Sequence, residues 1–308
     1  MTKSDIKFGD RHDIHRGSEL FPEALEIIDE PPDCLHVIGN VDALNGPALA
    51  IVGARKATPY GRGCAIRFAK RAAQGEITIV SGGAIGCDQS AHRGALDAGG
   101  RTIVVLGCGA DVVYPTKAKE LFTEVVAGGG ALVSELPWGA PPLRWAFLKR
   151  NRLIAALSQA TLIVEAGLPS GTFSTADAAL RQGKEVWVVP GSIFSKESRG
   201  SNHLIVQGAV PIVDDESFQD ALNCAFGCLR YATNGSLDNP GSGYRGPLAE
   251  IMAALSAAPS RPEELVGCCA ASVAEVICHL SALELAGAVE RLRDGRYVLG
   301  AANMTANR

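Results

Sequence analysis

The 308-residue chain predicts a doubly wound, mostly parallel α/β sheet followed by a small winged-helix domain. Three observations carry this. From residue 49 onward, short β-rich runs are apolar on consecutive residues rather than on alternate ones, as in strands buried on both faces. The spacers between them are long enough for crossover helices. Near residue 225 the rhythm breaks into a Gly, Asn, Ser and Pro-rich stretch, beyond which the pattern changes.

The expected strands are "LAIVG" (49–53), "ITIVSG" (77–82), "TIVVLG" (102–107), "ALVSEL" (131–136), "TLIVEA" (161–166), "EVWVVPG" (185–191) and "VPIVD" (210–214). Before them, residues 1–19 are charged throughout and lack the apolar core of a signal peptide, so they read as a disordered leader. The main domain is expected over 20–225 and a linker over 226–246. Helical stretches follow at about 247–257, 260–267 and 271–286. The segment 287–300 then reads as a hairpin turning at Asp294-Gly295. Three helices and a hairpin make a winged helix over 247–300, leaving 301–308 as a tail.

The composition is that of a soluble globular protein, and no apolar run is long enough for a membrane-spanning helix. Nine cysteines are scattered, with no CxxC pair. Most lie in apolar stretches, where Cys acts as a small hydrophobe, and this fits a reducing cytoplasm. No metal and no cofactor are expected. The net charge of −4 argues against a diffusely basic nucleic-acid coat but leaves room for a local basic cleft.

In a parallel sheet all strand C-termini meet one rim, where ligands bind. Three junctions there are notable. In "GARKATPYG" (53–61), Arg55 follows a strand directly, and Thr58 and Pro59 fit an N-cap and first helical position; a solvated loop charge is the plainer reading of Arg55. In "SGGAIGCD" (81–88), Ser81, Gly82 and Gly83 open a loop whose glycines free backbone N–H groups for an anion nest, although a tight turn would look the same. The stretch is neither GxGxxG nor a P-loop. In "EAGLPSGTFSTADAA" (165–179), Ser170, Gly171 and Thr172 stand where a helix begins, with Thr172 a candidate N-cap.

A fourth element is "FLKRNRLIAALS" (147–158). Lys149, Arg150 and Arg152 crowd around Asn151 at an expected helix start, where each cation costs about 0.3–1 kcal/mol against the helix dipole. The loop 136–150 is long enough to carry Arg144, Lys149, Arg150 and Arg152 over the rim, where a bound polyanion would compensate them. Trp138, Trp145 and Phe147 interleave with these cations, a combination that suits single-stranded nucleic acid; a core role for the rings and a solvated role for the charges is the alternative. Cys87, Asp88 and His92 lie close together, and Asp88 and His92 share a helix face. Helix-start and core roles explain them better than catalysis. Glu165, at a strand end, reads either as a general base or as a brace between loops.

Taken in order, "AIVGARKATPYG", "IVSGGAIGCDQSAH", "YP" (114–115), "SELP", "RNRLIAALS", "LIVEA", "SGTFSTADAAL" and "VPGS" resemble the DNA-processing protein A (DprA, or Smf) family over about residues 20 to 220. The winged-helix tail also resembles the C-terminal domain of many members. The resemblance implies a Rossmann-like domain that binds single-stranded DNA in a basic pocket, a homodimer, help in loading a RecA-type recombinase during natural transformation, and no enzyme activity. Matched by motif, it implies DNA contacts from Arg55, from Ser81, Gly82 and Gly83, from Phe147, Lys149, Arg150, Asn151 and Arg152, and from Ser170, Gly171 and Thr172. Two positions depart from the family pattern: Ala54 replaces a Ser of the first loop, and Leu148 replaces the Pro after Phe147. No counterpart of the N-terminal helical domain of many members is expected.

Two rival readings come from other classes. One is a nucleotide-binding or nucleotide-hydrolysing enzyme of the same superfamily, whose Pro-Gly-Gly-x-Gly-Thr-x-x-Glu motif would fall at Pro169–Thr175. The Glu is missing there. The other is a nucleotide-sensing defence module.

Overall fold

The computed structural model describes residues 9–227, 244, 246–257, 259–269 and 271–300. Nine strands form one sheet: β1 (Arg11–His15), β2 (Cys34–Gly39), β3 (Ala48–Val52), β4 (Thr78–Ser81), β5 (Thr102–Val105), β6 (Ala131–Ser134), β7 (Ala160–Ile163), β8 (Glu185–Val188) and β9 (Val210–Pro211). Their spatial order is β1-β2-β6-β5-β4-β3-β7-β8-β9. β3 to β9 run parallel to one another, while β1 and β2 are antiparallel additions beyond β6. All seven expected strands are present, and β3, β4, β5, β6 and β7 are buried at every position. Two-sided burial explains why they read as unbroken apolar runs.

The chain builds outward from β3 through β4, β5 and β6, then crosses back to lay β7 on the other side of β3. The direction of winding therefore reverses between β3 and β7. A crevice opens at such a switch point, because the loops leaving the two strands diverge. Helices Pro59–Gln74 and Cys87–Asp97 pack closely on one face beside each other. Helices Asn151–Ala156 and Phe173–Arg181 pair together, and residues of both lie in the core cluster that contains Val52, Val80, Val105 and Val188.

The expected leader is corrected over residues 9–19. Arg11–His15 forms the outermost strand, paired with β2 and pinned by Ile14, which is 2% exposed. "RHDIH" holds one apolar residue, so it carries no alternation to read, and charged residues are what an edge strand tolerates. Residues 1–8 lie outside the described residues, as do most of the expected linker and the tail 301–308. Phe226, placed in the linker by the sequence reading, ends the helix Asp215–Phe226.

The C-terminal unit has helices Pro247–Ala257, Pro262–Leu265 and Val273–Leu285 and a hairpin of β10 (Val289–Arg291) and β11 (Tyr297–Leu299). Its own core gathers Ile251, Leu255, Leu265, Val276, Leu280 and Leu299. Gly295, at φ +86°, takes the left-handed turn position that glycine suits. No helix among the described residues is long and apolar enough to cross a membrane.

Candidate functional site

A cavity of about 330 Å³ opens at the switch point. Its walls are the end of β3 with Gly53–Arg55, the β7 loop residues Gly167 and Pro169 to Thr172, and Phe147, Leu148, Arg150 and Asn151. Each wall has a local cause. Thr58 caps the helix Pro59–Gln74: its hydroxyl accepts from Gly61 N at 3.1 Å, with Pro59 in the first turn. That fixes the turn holding Arg55. Glu165, 2% exposed, accepts from Thr58 N at 2.8 Å and from Thr58 Oγ1 at 2.7 Å, while Ala54 N donates to the Glu165 carbonyl at 2.7 Å. Burial raises the Glu165 pKa, and the Thr58 hydrogen bonds oppose that rise. Of the two sequence readings of Glu165, the geometry matches the brace between the β3 and β7 loops.

The β7 loop is closed by its own hydroxyls. Thr172 N donates to Ser170 Oγ at 3.2 Å, and Ser170 Oγ donates to Thr172 Oγ1 at 2.9 Å. Thr172 occupies the cap position of the helix Phe173–Arg181 but makes no side-chain cap bond, which corrects its expected capping role. The hydroxyl is engaged with Ser170 instead. Asn151 Nδ2 donates to Ser174 Oγ at 2.6 Å, tying the crossover segment to this loop.

The cation cluster resolves differently from the sequence expectation. The stretch does not begin a helix with three cations at its start. Helix Arg144–Lys149 ends and helix Asn151–Ala156 begins with Arg150 as the joint, so Lys149 stands in a last turn, where the dipole favours it. Arg150 is 4% exposed; its Nη1 donates to Val105 O at 2.7 Å and its Nη2 to Gly82 O at 3.1 Å. Burial pulls its pKa down to about 10, with Asp88 opposing. Arg152 pairs with Glu135 at 2.7 Å and Lys149 with the same carboxylate at 3.5 Å. The compensation expected from a polyanion is thus supplied within the chain, by Glu135 and by carbonyls at the ends of β4 and β5.

Arg55, Phe147, Arg150, Asn151, Ser170, Gly171 and Thr172 therefore meet around one cavity. Ser81, Gly82 and Gly83 are buried beside it: Ser81 Oγ donates to Ile51 O at 2.6 Å, and Gly83, at φ +69°, leaves no room for a Cβ against Val104 and Phe122. Lys149 and Arg152 face a neighbouring groove of about 680 Å³ between residues 24–30 and the Phe173–Arg181 helix. The sequence reading missed Gly53, Leu148, Gly167 and Pro169 as wall residues. "GLPSG" offered a turn signal for two of them.

Arg55 is exposed, forms no ion pair among the described residues, and holds its guanidinium carbon 5.6 Å from the Phe147 ring centre. Phe147 in turn lies 5.4 Å from the Tyr114 ring. Behind the wall, Cys87 is buried, and burial raises its thiol pKa well above the ordinary range. His92 Nδ1 bonds Thr102 Oγ1 at 2.7 Å in the core.

A family model for DNA recombination-mediator protein A matches residues 13–223, and one for the DprA winged helix domain matches residues 245–295. The chain belongs to the DNA recombination-mediator protein A family. Protein Smf of Escherichia coli is 36% identical over 285 residues, covering 92% of this chain and 76% of that protein. The DNA processing protein DprA of Streptococcus pneumoniae is 38% identical over 194 residues, covering 62% of this chain and 67% of that one. Among solved structures, the X-ray structure of DprA from S. pneumoniae matches with TM-score 0.63 at 34% identity, covering 68% of this chain and 74% of that one. A DprA structure from Helicobacter pylori, described for its single-stranded DNA binding mode, matches with TM-score 0.62 at 33% identity, covering 70% of this chain and 95% of that one. The family assignment agrees with the resemblance read from the ordered motifs, and both the sheet and the winged helix agree with the fold it implied.

Proposed function

We propose that this chain binds single-stranded DNA along the switch-point rim, without catalysis, and serves DNA processing in transformation and recombination. The observation that carries the reading is Arg55: an exposed, unneutralised guanidinium beside an aromatic ring, at the mouth of a cavity walled by Gly- and hydroxyl-rich loops. Cation and aromatic together suit a strand whose phosphates pair and whose bases stack. The H. pylori relative's single-stranded DNA binding supports carrying this activity to the present chain. Membership of the family supports a homodimer that helps load a RecA-type recombinase in the cytoplasm.

The enzymatic rival is less well supported. Glu165 is engaged with Thr58, Cys87 is a buried thiol, and His92 is held in the core. Of the groups lining the cavity, the Ser170 and Thr172 hydroxyls bond each other and the buried Asp88 carboxylate accepts from Ala84 N at 3.4 Å. The test is a fluorescence titration with oligo-dT and with duplex of equal length over a series of salt concentrations. Preference for oligo-dT, with affinity falling steeply as salt rises, supports the proposal. Equal affinity for duplex at the same salt overturns it.

A further inference from the structure

The antiparallel ribbon at the sheet edge carries an unexpected set of side chains. Ladder partners are Asp13 with His36 and His15 with Cys34. Strand residues alternate between faces. Ile14, Leu35 and Val37 are buried on one face of the ribbon, so Asp13, His15, Cys34 and His36 share the other. Directly opposed side chains start from Cβ atoms about 4.5–5.5 Å apart, which places four side chains of metal-ligand type in one small square.

The donor atoms have already converged. One ligand atom each from Asp13, Cys34 and His36 lies within 4.8 Å of the other two. Asp13 Oδ1 bonds His36 Nδ1 at 2.6 Å and accepts from Trp138 Nε1 at 2.8 Å. Trp138 is held in turn by Arg11, whose guanidinium carbon lies 4.8 Å from the ring centre, and it packs edge-on against His36 at 5.1 Å. An indole N–H fixing a carboxylate is the outer support that orients metal ligands. Cys34 is a free thiol.

We propose that Asp13, Cys34 and His36 bind a divalent transition metal, with Zn(II) the ion that their oxygen, sulfur and nitrogen donors fit. Imidazole, thiolate and carboxylate are the ligand types Zn(II) takes in tetrahedral sites. Binding takes the place of the Asp13–His36 hydrogen bond and deprotonates the Cys34 thiol, so the thiol proton passes to solvent as carboxylate, thiolate and neutral imidazole close on the ion. The fourth position is left to solvent. The metal would clamp the outermost strand to β2, with β6, β5 and β4 between it and β3.

Titration of the reduced full-length protein with Co(II) tests this. The expected result is saturable uptake with a thiolate-to-metal charge-transfer band and the strong visible bands of a four-coordinate site, discharged by Zn(II). Cys34→Ser abolishes the charge-transfer band, while Cys278→Ser, at an exposed cysteine elsewhere, leaves it intact. Asp13→Asn, at an exposed position, weakens Co(II) binding by about tenfold or more. Absence of a charge-transfer band in the parent protein, or a band unchanged by Cys34→Ser, overturns the proposal.

Discussion

Arg150 and Gly82 interlock beside the candidate site. The guanidinium Nη2 donates to the Gly82 carbonyl at 3.1 Å, and a Cβ on Gly82 would overlap that same guanidinium. Glycine at 82 is therefore a packing requirement set by a side chain 68 residues further along the chain. The contact fastens the crossover segment to the ends of β4 and β5.

Stability follows from this contact. Arg150→Ala leaves two buried carbonyls and the buried Asp88 carboxylate without their cation, a loss of roughly 3 kcal/mol. Gly82→Ala drives the guanidinium off its acceptors and costs about 1–3 kcal/mol. In the Arg150→Ala background the same Gly82 substitution costs much less, because the atom it strikes is gone. Urea unfolding of the two single variants and the double variant measures the coupling. Additive losses would show that the two residues act independently.

The pH dependence has a core contributor in His92. The Thr102 hydroxyl donates to Ile79 O at 2.7 Å, so its oxygen accepts from His92 Nδ1 and leaves Nε2 bare and unpartnered. Burial pulls the His92 pKa down to about 3. In the unfolded chain the ring titrates near about 6.5. Between these values the unfolded state binds the extra proton, so this contribution to stability is full above the unfolded pKa and is lost as pH falls. Urea midpoints measured from neutral to acidic pH should fall less steeply in His92→Gln than in the parent protein. Parallel slopes would refute the assignment.

The winged helix is expected to contribute little to strand binding. Its longest helix, Val273–Leu285, carries Glu275, Glu284 and His279 and no Lys or Arg, whereas a duplex-reading helix presents several cations. On the hairpin, Arg296 is paired with Asp294 at 2.6 Å. Truncation after residue 240 should change oligo-dT affinity by less than about twofold. A loss of about tenfold, or 1.4 kcal/mol, would place DNA contacts in the tail.

Much of this architecture was legible because buried parallel strands write themselves as unbroken apolar runs, as Ala48–Val52 and Ala160–Ile163 do. Thr58-Pro59 declared its helix start in the same local way. Arg11–His15 was not legible, since one apolar residue, Ile14, secures the whole strand. The cation cluster misled for a related reason. Sequence places Lys149, Arg150 and Arg152 side by side, but a helix break at Arg150 turns one under the rim and two toward Glu135. The partners Val105, Gly82 and Glu135 come from three other segments, and no local pattern announces them. The metal-ligand square on the β1–β2 ribbon was equally hidden, because it exists only once Asp13 and His36 are in register.

Arg55 tests the central claim most directly, because it is exposed and pairs with no carboxylate among the described residues. On the proposed reading, its substitution removes a contact to DNA without removing an ion pair from the fold. The measurement is the affinity of Arg55→Ala and Arg55→Lys for oligo-dT across a salt series, alongside their thermal midpoints. Both variants should lose roughly 1–3 kcal/mol of binding, since Lys lacks the planar fork that pairs bidentately with phosphate. The salt slope should fall by about 0.7, the value for one phosphate contact on a single strand, and the thermal midpoint should hold. Full affinity and an unchanged salt slope in Arg55→Ala would contradict the account and move single-strand binding away from the switch-point rim.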